Sequence, residues 1–356
     1  MSSKKSALVV CGFTEFPSKI ESHVQPLANA TERTTVVCMD PYPDVEGIEY
    51  REAPDFGFKP LSQIVMLFLA LRETLFSDYD IIVSYSLIPY GMIALITKYL
   101  SGTPAHLGII GKNIDVHAVA WYGPVIVWLF KRFDAITVTG SVYKDRLEEL
   151  GVDPEKSFTL MHSIQSQYGP IERENDPKYD LLWLGRVSSE KDPILFVDTL
   201  AELRDREVDF NAALVGNGFL DEKVERQISA HQLENHVDTP GWADEPLDYY
   251  RKSEVYVLTS SRDMLPLTLL EAMTTGMPPI VSPVGAVPDL IEDGENGLIV
   301  EERSPTEFAD EIESVLQDEE TYQEISSEAP QVQTLVSYDA GCEQWVEIIY
   351  KATKTK

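Results

Sequence analysis

The sequence is poor in cysteine and has no long apolar run. Its 356 residues include three cysteines, Cys11, Cys38 and Cys342, which cannot all pair and form no C-x-x-C motif. This pattern excludes a disulfide scaffold and a cysteine zinc site, and it favours a reducing cytoplasm. No stretch of about 18 apolar residues occurs, so no membrane-spanning helix is predicted. The apolar run after Lys4 and Lys5 spans only about seven residues, too short for a signal-peptide h-region.

Positive charge is also scarce. The chain has 29 Lys and Arg against 59 Asp and Glu, a net charge of -30, which argues against nucleic-acid binding. Residues 1–170 carry 14 basic and 19 acidic side chains, whereas residues 171–356 carry 15 and 40. Such self-repulsion destabilises a compact domain unless molar salt shortens the Debye length to about 3 Å. The composition therefore indicates a high-salt cytoplasm, as in a halophilic archaeon; an ordinary acidic protein is the alternative.

Short apolar runs alternate with helical patterns along both halves of the chain. Hydrophobic residues make up 44% of the sequence, and the length predicts about two domains. The predicted strands are residues 7–11, 34–39, 81–85, 106–110, 135–139, 181–184, 212–215, 255–258 and 279–281. The predicted helices are residues 17–28, 60–76, 89–100, 116–133, 141–150, 193–203, 220–230, 266–275, 287–291 and 338–352. Because the strands are continuous apolar runs, they predict parallel sheets covered on both faces.

This order of elements predicts an α/β protein with two doubly wound, Rossmann-like domains that face a central cleft. We expect an N-terminal domain over residues 1–165, a polar linker over 166–178 and a C-terminal domain over 179–335. A last helix within residues 336–356 is expected to pack back on the N-terminal domain. Ligands of such folds bind beyond the carboxyl ends of the strands, so the loops that follow the strands are the expected binding segments.

Two of these loops carry features suited to phosphate. In LGRVSSEK, residues 184–191, Arg186 and Lys191 follow the end of a strand, and one planar and one flexible cation suit a diphosphate. The alternative is a pair of solvated surface charges. In VGNG, residues 215–218, Gly216 permits close approach of the backbone to a ligand, although a plain βα turn is the simpler explanation of this motif on its own.

The most informative segment is TSSRDMLPLTLLEAMTTG, residues 259–276, where a strand leads through a loop into a helix. The start of that helix directs N–H groups and a positive dipole end at the ligand side. Glu271 could accept hydrogen bonds from a ribose diol, and Asp263 from hexose hydroxyls. The alternatives are a helix N-terminal anion for Asp263 and a solvated helix face for Glu271. Glu271 lies in the apolar run LTLLEAM, however, where an unpaired carboxylate would be costly.

The segments LLWLGRVSSEK, ALVGNG, TPGW and VYVLTSSRDMLPLTLLEAMTTGMPPIVSPVGAVPDLIEDGENGLIV together resemble the C-terminal domain of the family 4 glycosyltransferases, which have the GT-B fold. The resemblance is close over residues 180–302, whereas the N-terminal half is similar mainly in its order of strands and helices. It implies a retaining hexosyltransferase that uses a UDP- or GDP-sugar and no cofactor or metal. The sequence also has no D-x-D at the end of a strand and no His/Cys cluster.

The resemblance implies a role for each matching residue. Arg186 and Lys191 would bind the donor diphosphate, Glu271 would hold the ribose, and Asp263 would be the first acid of the E-x7-E motif. Backbone amides in the segment Leu265, Pro266, Leu267 and Thr268 would contact sugar and phosphate. The sequence departs from the family in having Asp263 where Glu is usual and Met264 where Gly is usual. These departures bear on the identity of the donor more than on catalysis.

The N-terminal half offers fewer candidates. Gly12 follows the first strand and could approach the donor phosphate, although the glycine pair common in the family is absent. Asp115 and His117 lie in GKNIDVHA, where either could orient the acceptor hydroxyl or take its proton. A helix cap for Asp115 and a surface imidazole for His117 are equally compatible with the sequence. His162, which stands where the family has Asn-Gly, is assigned no role.

The acceptor side has one unusual window. Residues 98–146 contain six basic and three acidic side chains, and they include the apolar segment AVAWYGPVIVWLFKRF, residues 118–133. This segment could lie on an anionic membrane; a buried core helix is the alternative, and residues 60–76 are equally ambiguous. A membrane surface would favour a lipid-linked or surface glycan as acceptor and peripheral attachment to the inner face of the cell membrane. The alternatives to a transferase are a GT-B-fold sugar-nucleotide epimerase and a non-catalytic nucleotide-sugar-binding subunit.

Overall fold

The computed structural model describes residues 5–13, 17–39, 45–110, 113–171 and 177–354. The chain divides into two compact units. The N-terminal unit comprises Met1–Gln165 together with Leu335–Lys356, and the C-terminal unit comprises Ser166–Thr334.

The N-terminal unit contains a seven-stranded sheet in the order β3-β2-β1-β4-β5-β6-β7, and every adjacent pair is parallel. Its strands are β1 (Ser6–Val10), β2 (Arg33–Cys38), β3 (Ile48–Glu52), β4 (Ile81–Tyr85), β5 (Ala105–Gly108), β6 (Ala135–Val138) and β7 (Ser157–Thr159). Its first helices are α1 (Pro17–His23), α2 (Gln25–Ala30), α3 (Lys59–Phe76), α4 (Met92–Ser101), α5 (Gly123–Phe130) and α6 (Ser141–Glu149). Right-handed crossovers place α1 and α2 on one face of this sheet and α3 to α6 on the other.

The C-terminal unit contains a six-stranded parallel sheet in the order β10-β9-β8-β11-β12-β13. Its strands are β8 (Tyr179–Leu184), β9 (Ala212–Val215), β10 (Val237–Gly241), β11 (Ser253–Leu258), β12 (Pro279–Val281) and β13 (Leu298–Ile299). The remaining helices are α7 (Pro193–Asp205), α8 (Asp221–Ala230), α9 (Leu247–Arg251), α10 (Leu267–Thr274), α11 (Pro305–Gln317), α12 (Glu319–Glu328), α13 (Gln333–Val336) and α14 (Tyr338–Lys354).

Helix α14 completes the N-terminal unit. It packs against α2, and Trp345, Ile348 and Ile349 on its inner face are buried among the apolar side chains of β1 and β4. The Trp345 ring lies edge-on to that of His106, with centroids 4.9 Å apart. The last helix therefore fills the layer that α1 and α2 leave open.

The expected pair of doubly wound α/β domains is confirmed, with local differences. Strand β3 (IEYRE) was missed because its side chains alternate at the sheet edge, and β13 because it has only two residues. The helix predicted over 116–133 is shorter: a π-helical turn, Asn113–His117, precedes α5. The chain turns sharply there, since a Cβ on Gly123 would lie 2.1 Å from the Ala118 carbonyl oxygen.

Other boundaries also differ from the expectation. The helix predicted over 17–28 is divided into α1 and α2, and residues 287–291 form only a short 3-10 turn, Val287–Asp289. In the segment expected to be a linker, Tyr168 is buried in the C-terminal unit, edge-on to Tyr250, and residues 172–176 lie outside the described chain. None of the described helices is long and apolar enough to cross a membrane.

Candidate active site

The loops that follow β8, β9 and β11 lie at one edge of the C-terminal sheet. These strands are adjacent and parallel, so their carboxyl ends meet at the same edge. The sequence separates the first and last of these loops by more than 60 residues, and the sheet order brings them together. Most of the predicted donor-binding residues lie on these loops or on the helix that follows β11.

Lys191 and Asp263 form an ion pair between the first and last of these loops. The Lys191 ammonium donates to one Asp263 carboxylate oxygen, and the Met264 backbone N–H donates to the other at 2.8 Å. Their side chains are 22% and 19% exposed, respectively, so the pair is accessible but not fully solvated. An ammonium has three N–H donors. Lys191 can therefore hold Asp263 and a further anion at the same time.

Backbone contacts fix the two loops beside this pair. The Ser261 N–H donates to the Glu190 carbonyl at 2.8 Å. The buried Thr259 hydroxyl donates to the Asp192 carbonyl at 2.8 Å and accepts a hydrogen bond from the Trp183 indole N–H at 3.0 Å. The position of Lys191 relative to Asp263 is consequently set by the sheet and does not depend on the flexible ammonium alone.

Arg303 is a cation of this region that the sequence analysis missed. It follows β13, and its Nη2 donates to Asp192 Oδ2 at 2.7 Å and to the Thr259 carbonyl at 2.9 Å. Its Nε is buried without a hydrogen-bond partner among the described residues. Arg303 thus joins the residue after Lys191 to the end of β11. The sequence pattern that could have identified it is a cation after the end of a strand, the same pattern that identified Arg186.

Helix α10 begins at Leu267, immediately beyond Asp263 and Met264. Pro266 is the capping residue, and no side chain caps this end of the helix. The first N–H groups, those of Leu267 and Thr268, have no partner within the helix and lie at the positive end of its dipole. Pro266 itself cannot donate, because proline has no N–H; its inclusion among the amide donors was wrong. The candidate donors that remain are the N–H groups of Leu265, Leu267 and Thr268.

Glu271 lies one turn inside α10 and is half-buried. Its Oε2 accepts a hydrogen bond from the Tyr250 hydroxyl at 2.8 Å, and the same hydroxyl lies 3.2 Å from the Thr268 carbonyl oxygen. Burial raises the pKa of Glu271 to about 7. The side chain is not exposed and its carboxylate is paired with Tyr250, which argues against the alternative that placed it on a solvated helix face. It can change protonation state near neutral pH.

Two glycines shape these loops. A Cβ on Gly216, where φ is 138°, would lie 1.8 Å from the Gly185 carbonyl oxygen, so contact between loops already requires glycine there. A Cβ on Gly285, where φ is 57°, would lie 2.2 Å from the Asp263 carbonyl oxygen. Gly285 supports the Asp263 loop and was missed, because its role depends on a contact across 22 residues of sequence.

Arg186 differs from Lys191 in its surroundings. Its side chain is exposed, and it makes no ion pair with any residue that the structure describes. It lies on the same loop as Lys191, so both cations belong to the carboxyl edge of β8. Among the described residues, no group of three or more His, Cys, Asp or Glu side chains is arranged to hold a metal ion.

The N-terminal candidates are placed less distinctively. A Cβ on Gly12 would lie 1.7 Å from the Tyr90 hydroxyl oxygen, so a larger residue there would have to displace the Tyr90 side chain. The half-buried His117 has its Nδ1 2.7 Å from the Tyr122 hydroxyl. Asp115 lies in the π-helical turn, and its side chain is outside the described part of the structure.

A pair of histidines in the N-terminal unit was not anticipated. The Nδ1 atoms of His23 and His162 are 3.2 Å apart, and Phe13 and Tyr85 pack against the His23 ring. Burial lowers the pKa of His23 well below its usual value, and the neighbouring His162 lowers it further. The pair lines a cavity of about 20 Å³ at the carboxyl ends of β4 to β7. The two histidines are 139 residues apart in the sequence, so no local sequence pattern connects them.

Residues 166–332 match the family model described as glycosyl transferases group 1. The chain is 30% identical over 246 residues to the alpha-D-kanosaminyltransferase of Streptomyces kanamyceticus, a match that covers 65% of this chain and 62% of that protein. It is 22% identical over 305 residues to an uncharacterised glycosyltransferase of Methanocaldococcus jannaschii, covering 83% and 82%. The structure of Anabaena HepE in complex with UDP-glucose has a TM-score of 0.79 at 16% identity, covering 97% and 99%. The GT-B fold is therefore confirmed; the kanosaminyltransferase match spans less than two thirds of that protein.

Proposed function

Because residues 166–332 match the family model of group 1 glycosyl transferases, we propose that the protein transfers a hexose from a nucleotide-diphosphate sugar to a hydroxyl acceptor with retention of anomeric configuration. The Lys191–Asp263 pair beside the uncapped start of α10 carries this proposal. It places an ammonium, a carboxylate and backbone N–H groups together, and these groups suit a diphosphate and the sugar attached to it.

Each group has a distinct task in this proposal. Lys191, Arg186 and the Leu267 and Thr268 amides bind the diphosphate, while Glu271 accepts hydrogen bonds from the ribose. Asp263, held by Lys191, accepts hydrogen bonds from the hexose hydroxyls. The structures of Anabaena HepE in complex with UDP and glucose, with UDP and with UDP-glucose support a UDP-sugar as the first donor to test.

The reaction breaks the bond between the anomeric carbon and the diphosphate oxygen. The nucleoside diphosphate leaves with the bonding electrons, and the cations and helix amides stabilise its developing charge. The acceptor oxygen then bonds to the anomeric carbon on the face that the diphosphate leaves, and its proton passes to a base. Asp115 and His117 of the N-terminal unit are the proposed residues that orient the acceptor. Lys191, Arg186 and the helix amides supply the positive charge in this proposal, which includes no metal ion.

We further propose a lipid-linked or surface glycan as the acceptor and a high-salt cytoplasm as the working environment. The excess of 59 acidic over 29 basic residues supports the second point, because salt screens the repulsion among carboxylates. Functional measurements therefore belong in molar KCl.

The direct test is a thermal-shift screen of nucleotide sugars in molar KCl. A donor present at about 100 times its Kd stabilises the folded state by about 2.7 kcal/mol, which corresponds to a rise in Tm of several degrees. Lys191→Ala should abolish the rise. Lys178→Ala is the matched control, because Lys178 pairs with Asp238 at 2.6 Å in the same unit but away from these loops. A normal shift in Lys191→Ala would contradict the proposed site, and binding without acceptor-dependent nucleotide release would identify a non-catalytic subunit.

A further inference from the structure

Exposed apolar side chains are concentrated in one part of the N-terminal unit. Of the 22 large hydrophobic side chains that are exposed among the described residues, 16 lie between Phe56 and Trp128, a segment of about one fifth of the chain. Scattered exposed apolar residues are normal on a protein surface, but such a concentration marks an interaction surface.

Helix α3 has the reverse of the usual polarity of a surface helix. Its outward side chains include Leu61, Ile64, Phe68 and Leu75, which follow helical spacing and are 42 to 65% exposed. Its inward side chains are Ser62, Met66, Ala70 and Glu73. A helix on the surface of a protein in water normally presents polar side chains outward. The sequence of α3 therefore fits an apolar surrounding on its outer side.

Helices α4 and α5 continue this surface. The exposed side chains of α4 are Met92, Ile96, Tyr99 and Leu100, and those of α5 include Val125 and Trp128. Helix α4 packs against α3. It is joined to the end of α5 by a hydrogen bond of 2.6 Å from Lys98 Nζ to the Arg132 carbonyl. The three helices thus form one layer whose outer side is apolar.

The rim of this layer carries cations and aromatic rings. Lys131 and Arg132 are exposed at the end of α5, and the Arg132 guanidinium lies 4.6 Å from the centre of the Trp128 ring. Trp121, just before α5, is 92% exposed. Tryptophan and basic side chains beside an apolar surface suit the interface of an anionic bilayer. Because the whole chain has a net charge of -30, contact with such a bilayer requires cations at the contact itself.

We propose that the outward faces of α3, α4 and α5 form a docking surface for an anionic lipid bilayer. This proposal rests on the proposed transferase function and deepens it, because it places the N-terminal unit where a lipid-linked acceptor is found. A second copy of this chain is a less suitable occupant, since pairing this face with itself would bring the exposed Lys131 and Arg132 of two copies to one interface, where like charges oppose each other.

Flotation with vesicles tests this surface. The protein is mixed with vesicles of phosphatidylcholine alone or with added phosphatidylglycerol, once in about 2 M KCl and once in about 0.3 M KCl, and the floated fraction is measured after density centrifugation. We expect the wild type to float on both types of vesicle in about 2 M KCl, where the lipid charge is screened. In about 0.3 M KCl we expect several times more protein on the vesicles that contain phosphatidylglycerol. The triple variant Ile64→Ser, Phe68→Ser, Ile96→Ser should show a partition coefficient lower by about tenfold or more. The matched control is Val346→Ser with Tyr350→Ser on α14, where both side chains are similarly exposed, and it should float like the wild type.

Several outcomes would overturn the proposal. These are a wild type that stays at the bottom of the gradient, a triple variant that floats like the wild type, and equal flotation by both types of vesicle in about 0.3 M KCl. A wild-type dimer that light scattering shows to dissociate in the triple variant would assign the surface to a second copy. Donor binding by calorimetry is measured separately on the same variants. If the triple variant binds the donor normally but does not float, the docking surface is supported. If the wild type itself does not bind the donor, the proposed function is contradicted, whatever the flotation result.

Discussion

The raised pKa of Glu271 makes donor binding dependent on pH. Glu271 is proposed to accept hydrogen bonds from the ribose, which requires the ionised carboxylate. Burial beside Tyr250 moves its pKa from 4.5 to about 7, so the group is mostly protonated at about pH 6 and mostly ionised at about pH 8. The apparent affinity of a protein is reduced by the fraction in the competent state. We therefore expect the apparent Kd of UDP-glucose to be about tenfold higher at pH 6 than at pH 8.

The same shift predicts the effect of removing the charge. Protons bound to the folded state exceed those bound to the unfolded chain between pH 4.5 and about 7, so this group lowers the free energy of unfolding as pH rises through that window. The full effect is about 3 kcal/mol at pH 8, at 1.36 kcal/mol for each pH unit. Glu271→Gln retains an oxygen for Tyr250 and should raise Tm at pH 8 by several degrees, while weakening donor binding.

Isothermal titration calorimetry in molar KCl provides the measurement. UDP-glucose is preferred to UDP as the ligand, because its diphosphate is esterified at both ends and does not titrate near neutral pH. Glu271→Gln should bind weakly and show no change of Kd between about pH 6 and pH 8. A wild-type Kd that is constant over this range, or a Glu271→Gln variant that keeps the wild-type pH profile, would refute the reasoning.

Three further predictions concern residues around the sites. Gly285→Ala should weaken donor binding and lower Tm, because its Cβ would displace the Asp263 backbone; circular dichroism melting and calorimetry measure both effects. Arg303→Ala should raise the KM for the donor more than it lowers kcat, and Arg303→Lys should partly restore the wild-type KM. The control is Arg206→Ala, which removes an arginine paired with Asp310 between α7 and α11 and should leave the KM unchanged. Acidification below pH 6.5 should destabilise the N-terminal unit, because the pKa of His23 is lowered in the folded state and the unfolded chain binds an extra proton. The free energy of unfolding should therefore change less steeply with pH in His23→Gln than in the wild type. An identical slope in the two proteins would contradict this.

The fold could be predicted because its strands are apolar throughout. Strands such as β4 and β9 are buried on both faces, and their boundaries agree with the sequence pattern. Strand β3 was missed because an edge strand with alternating, partly exposed side chains gives little signal. Helices α11 and α12 were also missed, in a region whose many acidic residues obscure the apolar face that the structure buries.

The candidate site was predictable only where its residues follow one strand. Lys191, Asp263 and Glu271 each lie in a strand–loop–helix segment, and the sheet order brings Lys191 and Asp263 into contact. Arg303 and Gly285 act through contacts with distant segments, and no local pattern reports such contacts. The outward apolar face of the layer formed by α3 to α5 was likewise ambiguous, because helical spacing identifies two faces but does not say which one is buried.

The most direct measurement is a crystal structure of the protein with a bound nucleotide sugar, grown in molar salt. The diphosphate oxygens are predicted to lie within hydrogen-bond distance of Lys191 Nζ and of the Leu267 and Thr268 amides, with the Arg186 guanidinium beside them and the ribose hydroxyls on Glu271. A diphosphate bound elsewhere, with Lys191 contacting only Asp263, would contradict the proposed function.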